Sequence, residues 1–281
     1  MGNADAPTVA AFGAEWRAFD QSGVTAEELD RIFTEYFRIF PFDALPAAAT
    51  GFDLGCGSGR WAGRVARRVG HVACIDASAE ALAVARAGLA SAPNVSFHHA
   101  SVDALPLPDD SQDFGYALGV LHHVPDPQAG LAACVRKLKA GAPFLVYLYY
   151  RLDDRPAWFR ALWRVSDVLR RGVSGLPVGS RIVVTNILAG VVYWPLARLA
   201  RLGAWSGIDT ASWPLRAYAT RSFYTMRTDA LDRFGTPLER RFTRAEVHDL
   251  MQRAGLDEIL FNEGPPFWTA VGRRRARVVA S

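Results

Sequence analysis

The chain has 281 residues, half of them hydrophobic and 21% charged, which is ordinary for a folded globular protein. Its formal net charge of +4 is too small to predict a nucleic-acid partner. Cys56, Cys74 and Cys134 stand apart in no metal-binding spacing, so the sequence predicts neither a disulfide framework nor a metal site. The first residues lack the basic and apolar regions of a signal peptide, and we therefore expect a cytoplasmic protein.

The first strongly patterned segment is a helix that precedes any strand. Residues 1–24 show little apolar periodicity, and Thr25-Ala26-Glu27-Glu28 then forms a capping box that begins the helix. Pro41 ends it. One face of this helix is apolar, with Leu29, Ile32, Phe33, Tyr36 and Phe37.

A strand–turn–helix–strand unit then organises the chain. An apolar run leads into Asp53, three glycines follow at alternate positions (Gly55, Gly57 and Gly59), and a second apolar run ends on Asp76. Glycine lets the backbone turn sharply and lets a ligand approach it closely. The helix N-terminus behind the turn offers free N–H groups to an anionic group. An acid at the end of the second strand is placed to accept hydrogen bonds from a ribose.

Two cofactor classes use this layout. The nicotinamide fingerprint G-x-G-x-x-G/A requires a small residue where this chain has Arg60. The run Asp53-Leu54-Gly55-Cys56-Gly57-Ser58-Gly59 instead resembles the first motif, D/E-x-G-x-G-x-G, of the class I S-adenosylmethionine (SAM)-dependent methyltransferases. This resemblance implies SAM as the cofactor. An NAD-dependent reductase is the alternative enzyme.

The pattern that follows continues the resemblance. Predicted strands cover residues 94–99, 114–120 and 142–150, and predicted helices begin after the caps Ser78 and Asp126. The resemblance implies that Asp103 bonds the adenine amino group and that Val102 packs on the ring; a surface turn acid is the other interpretation of Asp103. The full set of implied cofactor contacts is Asp53, Gly55, Cys56, Gly57, Gly59, Asp76, Ala77, Val102, Asp103 and Gly119.

Candidate catalytic and substrate residues are fewer. His122 and His123 follow the fourth strand and titrate in the range that a general base needs, although a histidine in a pocket wall would give the same pattern. Side chains that could orient or bind an acceptor are Tyr149, Tyr150, Tyr224, Arg221 and Arg227.

Residues 151–242 are an insertion that the minimal fold does not need. Residues 151–228 hold 12 Arg, 4 Asp and no Glu. The uncharged run 182–197 is short for a membrane span and contains Thr, Asn and Pro. An apolar stripe from Trp158 to Leu169 alternates with arginines, which indicates a membrane-surface helix, a lid over an apolar anionic substrate, or a helical cap with one buried face.

These patterns predict an α/β protein with a Rossmann-like, seven-stranded class I methyltransferase core: a doubly wound sheet whose last strand is antiparallel. The predicted function is SAM-dependent methylation of a small, largely apolar acceptor, with or without an acidic group. A non-catalytic, membrane-associated binding protein with this fold is the competing class, and membrane contact through the insertion would make the protein peripheral. The predicted parts are an N-terminal helical cover (1–45), the SAM-binding core (46–150), the insertion (151–242), and the rest of the core with a basic tail (243–281).

Overall fold

A computed structural model of the chain describes residues 2–153, 155–210, 212–264 and 268–276. It divides into two compact units. The sheet unit comprises the residues up to Asp20, Asp30–Arg151 and those from Leu238 onward. The helical unit comprises Gln21–Leu29 and Leu152–Pro237. The helical unit thus takes most of the expected insertion and adds nine residues that the sequence assigned to the N-terminal cover.

The sheet unit is built on one seven-stranded sheet in the order β3-β2-β1-β4-β5-β7-β6. Strands β1 to β5 pair in parallel, and β7 runs antiparallel to both of its neighbours. The predicted fold class is therefore confirmed. The strands are β1 (Thr50–Leu54), β2 (His71–Asp76), β3 (Val95–His99), β4 (Phe114–Leu118), β5 (Pro143–Tyr147), β6 (Leu256–Phe261) and β7 (Thr269–Arg274).

Helices cover both faces of the sheet because successive strand residues point to opposite sides. In β2, Val72 and Cys74 pack in the core on one face, whereas Ala73 and Ile75 pack in the core on the other. The helices of this unit are α1 (Ala6–Ala18), α2 (Ala26–Phe37, whose first turn belongs to the helical unit), α3 (Ala62–Val65), α4 (Ala79–Gly88), α5 (Pro127–Lys137) and α10 (Arg244–Arg253).

Helix caps follow the sequence signals closely. Ser78 and Asp126 each accept a backbone N–H at the start of α4 and α5. Thr243 and Glu246 form both bonds of a capping box at α10, and Gly255 with φ +95° follows its end. At α2 the Thr25 hydroxyl accepts the Glu28 N–H as expected.

Helix α1 lies in the part of the predicted N-terminal helical cover where the sequence shows little apolar periodicity; it has only weak amphipathicity and is begun by an Asp5 cap. The structure departs from the sequence prediction in two places. Helix α3 is a single turn, although the helical pattern of Trp61, Val65, Ala66 and Val69 continues beyond it and all four side chains are buried. Strand β4 ends two residues earlier than predicted, where Gly119 turns the chain at φ +82°, and β5 ends three residues earlier than predicted, at Tyr147.

The helical unit contains α6 (Ala157–Ser174), α7 (Val178–Leu188), a π-helical turn (Ala189–Tyr193), α8 (Trp194–Trp205) and α9 (Phe223–Gly235). The middle three are continuous, so the apolar run that looked too short is part of a 28-residue helix, Val178–Trp205. Within the described residues, this is the one helix long and apolar enough to cross a bilayer by length and composition. Pro265 and Pro266 of the predicted β6–β7 turn, and residues 277–281 of the predicted basic tail, lie outside the described residues.

Candidate functional site

The glycine turn after β1 lies at the carboxyl ends of the parallel strands, where ligands bind in such sheets. Gly55, Gly57 and Gly59 have φ of +67°, +55° and +75°, which side chains larger than glycine rarely adopt. The turn is held to β2, since the Gly55 N–H donates to the Ile75 carbonyl at 2.7 Å and the Gly57 N–H donates to Asp76 Oδ2 at 2.9 Å. The motif residues therefore form one fixed backbone cradle.

Asp76 ends β2 with both carboxylate oxygens in hydrogen bonds. Oδ1 accepts the Ser78 N–H at 2.8 Å, and Oδ2 accepts the Gly57 N–H. Burial raises the pKa of Asp76, and these backbone N–H groups act in the opposite direction. Each oxygen keeps a second lone pair, so the carboxylate is oriented and still able to accept from a ligand hydroxyl. The carbonyl of the next residue, Ala77, accepts a hydrogen bond from His99 Nε2 at 2.9 Å.

Asp53, in β1, is almost completely buried and lies beside Tyr116. Burial raises its pKa to about 8, with a smaller opposing effect from the Tyr116 hydroxyl. No described residue bonds its Oδ2 atom. A buried carboxyl without a full set of partners suits a cationic ligand. Cys56 is also buried, and the neighbouring Cys74 raises the pKa of its thiol, which keeps it protonated.

Two predicted cofactor residues follow β3. Val102 is buried in the core, whereas Asp103 is exposed. The Asp103 carboxylate accepts the Ser101 hydroxyl and, at 3.0 Å, the N–H of Asn3. These two bonds hold the pKa of Asp103 below its usual range. The N-terminal segment, which belongs to the predicted helical cover (1–45), therefore reaches the predicted adenine position.

Helix α1 also contacts the glycine turn. A Cβ atom added to Gly57 would lie 2.6 Å from the Trp16 ring, so glycine is required there by contact as well as by φ. The Arg60 guanidinium lies over the rings of Trp61 and Trp16, at 4.5 and 5.4 Å from their centroids. In contrast, a Cβ at Gly119 would meet nothing within 4 Å, so the carboxyl end of β4 faces open space.

His122 lies in this same region and is fully buried. Its ring stacks on Tyr149 with centroids 3.8 Å apart and lies 4.0 Å from the ring of His123. Neither ring nitrogen of His122 has a hydrogen-bond partner among the described residues. Burial, then the charges of His123 and Arg241, hold its pKa well below the usual range. His122 is therefore a neutral imidazole with two unpaired ring nitrogens.

His123 has a different environment. Its Nδ1 atom donates to the Leu238 carbonyl at 2.6 Å, and its ring meets the edge of Phe12 at 5.0 Å. The bond to a carbonyl fixes the orientation of the ring. Of the two predicted histidines, His122 is the one with both ring nitrogens unpaired among the described residues.

Arg241 and Glu239 complete the cluster, and sequence reasoning missed both. The Arg241 guanidinium lies 5.2 Å from the centroid of Tyr149, and its Nε atom bonds the buried Glu239 carboxylate at 2.8 Å. Its Nη1 atom donates to the Tyr150 carbonyl at 2.9 Å. Both residues lie in the predicted insertion, 151–242. Their position directly before the Thr243 capping box, where the core resumes, is the sequence feature that could have indicated a place near the core.

The remaining predicted substrate residues are not gathered at this cluster. Tyr150 packs against Trp268, with ring centroids 5.0 Å apart. Three others belong to the helical unit: the Tyr224 hydroxyl accepts the Gln21 N–H at 3.0 Å, Arg227 donates to Asn186 at 2.8 Å, and the Arg221 carbonyl accepts from Arg198. Their contact with substrate stays a prediction.

Two further observations bear on the site. A cavity of about 350 Å³ is lined by Pro143 and Arg273 at the amino end of β5, away from the glycine turn, and it contains no candidate residue. In the part of the chain that the structure describes, no three His, Cys, Asp or Glu side chains are grouped to hold a metal ion.

The residues present fit SAM. The positive-φ glycine cradle, the oriented Asp76 carboxylate, the under-bonded buried Asp53 and the open space at Gly119 lie along adjacent strand ends. Together they match a ligand that carries a ribose and positive charge.

Comparison with known proteins identifies this arrangement. Residues 52–146 match the family described as a methyltransferase domain. The chain is 39% identical over 101 residues to a ubiquinone biosynthesis O-methyltransferase of Hahella chejuensis, which covers 35% of this chain and 42% of that protein. The chain spans less than half the length of the ubiquinone-biosynthesis relatives that it matches.

Two solved structures share the fold. A possible exported protein from Bordetella parapertussis is 15% identical with a TM-score of 0.53, over 94% of this chain and 79% of its own. A putative methyltransferase from Bacillus halodurans is 16% identical with a TM-score of 0.50, over 81% and 71%. Residues 52–146 therefore form a domain of the class I SAM-dependent methyltransferase family, and SAM is its cofactor.

Proposed function

We propose that this protein is a SAM-dependent methyltransferase that acts on a small, largely apolar acceptor and that the methylated atom is an oxygen. The observation that carries the proposal is His122, which is buried with two unpaired ring nitrogens beside Tyr149 at the strand ends. The relatives named ubiquinone biosynthesis O-methyltransferase support the choice of oxygen.

The bound cofactor supplies a sulfonium-activated methyl group, so the protein's main task is to position the acceptor and exclude water. Asp76 would hold the ribose, Asp103 and Val102 the adenine, and Asp53 would compensate the positive charge. The glycine turn brings the backbone close enough for these contacts.

His122 would accept the proton of the acceptor. Because its pKa is well below the usual range, it is neutral at physiological pH but a weak base. A weak base deprotonates an acidic hydroxyl, such as that of a phenol or enol, more readily than an alcohol. Arg241 contributes to the low pKa of His122, and the same positive charge disfavours a protonated amine at this position.

Aromatic rings form the wall around His122. Tyr147 lies 5.9 Å from Tyr149 and 5.1 Å from Tyr36, which in turn lies 5.3 Å from Trp61. Such rings provide apolar area with defined edges and faces, which favours a flat or aromatic acceptor. The proposed acceptor is therefore a phenol or enol on an apolar skeleton.

The test is methyl transfer from radiolabelled SAM to three acceptors with one apolar skeleton, carrying a phenol, an aniline or an aliphatic alcohol. We expect transfer to the phenol alone. Replacing His122 by Gln should lower kcat at least tenfold with the SAM affinity unchanged, since the loss of a proton acceptor affects only chemistry. The control is His98→Gln, in β3, where the ring bonds Ser96. Preferred methylation of the aniline, or failure to bind SAM in calorimetry, would reject the proposal.

A further inference from the structure

The surface of the helical unit is unusually apolar. Of the 19 large apolar side chains that are exposed among the described residues, all but Leu260 belong to this unit. Its own buried apolar cluster is small: Ala189, Tyr193, Ala197, Met226, Ala230 and Phe234. A soluble monomer rarely exposes so many large apolar side chains in one unit without a partner.

Helix α6 packs its polar side and exposes its apolar side. Asp167 and Arg170 are buried and ion-paired at 2.8 Å, and Arg170 also donates to the Thr236 carbonyl at 3.0 Å. The exposed apolar residues recur at helical spacing and so share one face: Trp158, Leu162, Val165, Val168 and Leu169. The exposed residues of the apolar stripe noted in the sequence are therefore not part of the packed face of α6.

The helix Val178–Trp205 has the same arrangement. Its packed face carries buried residues at spacings of three and four: Thr185, Ala189, Tyr193, Ala197 and Ala200. Its exposed face carries large apolar residues, with Val183, Ile187, Val191 and Trp194 at the same spacings and Leu202 and Trp205 about two turns further along. Only 22% of its most apolar stretch is buried, and Trp205 is 84% exposed. A core helix of a soluble protein would show the reverse.

Charge indicates what covers this surface. Residues 152–237 contain 12 Arg, 6 Asp and no Lys or Glu, a formal charge of +6, whereas the whole chain carries only +4. On α6, the exposed Arg160, Arg164 and Arg171 follow one another at helical spacing beside the apolar face. Tryptophan and arginine around an apolar face are typical of helices that lie at an anionic membrane surface.

We propose that the helical unit docks on anionic lipid bilayers through the exposed faces of α6 and Val178–Trp205, with both helices lying in the plane of the interface. A spanning arrangement is disfavoured by length, because the 16 uncharged residues 182–197 extend about 24 Å against a hydrocarbon core of about 30 Å. It is also disfavoured by Arg181, which bonds the carbonyls of Gly235, Ser174 and Leu176 within the unit. A second copy of the chain is the weaker candidate, because two such surfaces would bring like charges together.

The experiment measures co-sedimentation of the full chain with vesicles of phosphatidylcholine alone or with one quarter phosphatidylglycerol. We expect binding to the anionic vesicles that weakens as salt rises. The double substitution Val165→Glu and Trp205→Glu should reduce binding at least tenfold. The matched control is Leu260→Glu in β6, whose side chain is 61% exposed, as is that of Val165.

A second set of variants separates charge from apolar area. Arg160→Gln, Arg164→Gln and Arg171→Gln together should remove the preference for anionic lipid, and the same change at the exposed Arg31, Arg67 and Arg253 of the sheet unit should not. Two results together would overturn the proposal. Light scattering would show that the wild type is a dimer and that Val165→Glu with Trp205→Glu makes it monomeric, and the wild type would not bind vesicles. If alkaline carbonate does not extract the membrane-bound protein from the vesicles, the in-plane arrangement is overturned.

Discussion

Replacing Asp53 by Asn should stabilise the protein and weaken its binding of SAM. The pKa of Asp53 is about 8 in the folded protein and 3.8 in an exposed carboxyl, so the folded state binds this proton more tightly than the unfolded state. Between these two values the free energy of unfolding falls as the pH rises, because only the unfolded chain is free to ionise. By linkage, the shifted pKa of Asp53 lowers the free energy of unfolding at pH 7 by about 4 kcal/mol relative to its value at low pH. Asn has the shape of the protonated carboxyl and avoids this cost.

The assay is urea unfolding of wild type and Asp53→Asn from pH 4 to pH 8. The difference in the free energy of unfolding should be near zero at pH 4 and grow with pH in favour of the variant. Asp113→Asn is the control of opposite sign: burial acts to raise the pKa of Asp113, but Lys139 and the Thr50 N–H hold it below its usual range. That variant should be less stable than wild type above about pH 4.

Binding should change in the opposite direction from stability. At pH 7 about one Asp53 in ten is ionised, and the positive charges of SAM favour the ionised form. Wild type should therefore release a proton on binding and bind about tenfold more tightly at pH 9 than at pH 7. Asp53→Asn should bind SAM more weakly without this pH dependence. A difference in stability that does not change with pH, or SAM binding without proton release, would refute the reasoning.

Three other changes test the site and the second unit. Gly119→Ala and Gly141→Ala place a side chain at φ +82° and +77° in open space, so each variant should lose about 1 kcal/mol of stability in urea unfolding. Only Gly119→Ala should weaken SAM binding in calorimetry. Asp76→Ala should weaken SAM binding by roughly 1–3 kcal/mol, and unchanged affinity in a folded variant would show that it does not hold the ribose. Glu28→Ala should raise the hydrogen exchange of α9, because it removes the buried Glu28 oxygen that accepts both the Ser222 N–H and the Thr225 hydroxyl at 2.9 Å; equal exchange in variant and wild type would contradict this.

The sequence by itself determined the sheet and the glycine turn. The apolar runs ending at Asp53 and Asp76, and the glycines between them, are signals contained within about 25 residues. The caps Ser78, Asp126 and Thr243 were also predictable, because a cap bonds a backbone N–H only three residues away. The family's first motif is equally local, so the methyltransferase assignment needed no tertiary contact.

Only the tertiary structure decided which side chains meet and which faces are packed. His122, Tyr149 and Arg241 come from three separate segments, and no local pattern encodes a stack between residues 27 positions apart or the approach of the Arg241 guanidinium to the Tyr149 ring. The orientation of α6 was undecidable for the same reason. Its apolar stripe is visible in the sequence, but whether it is packed or exposed depends on partners such as Thr236, which satisfies the buried Arg170 from a distant segment. Local signals set the conformation of the backbone, whereas burial and pKa follow from the distant groups that the fold brings together.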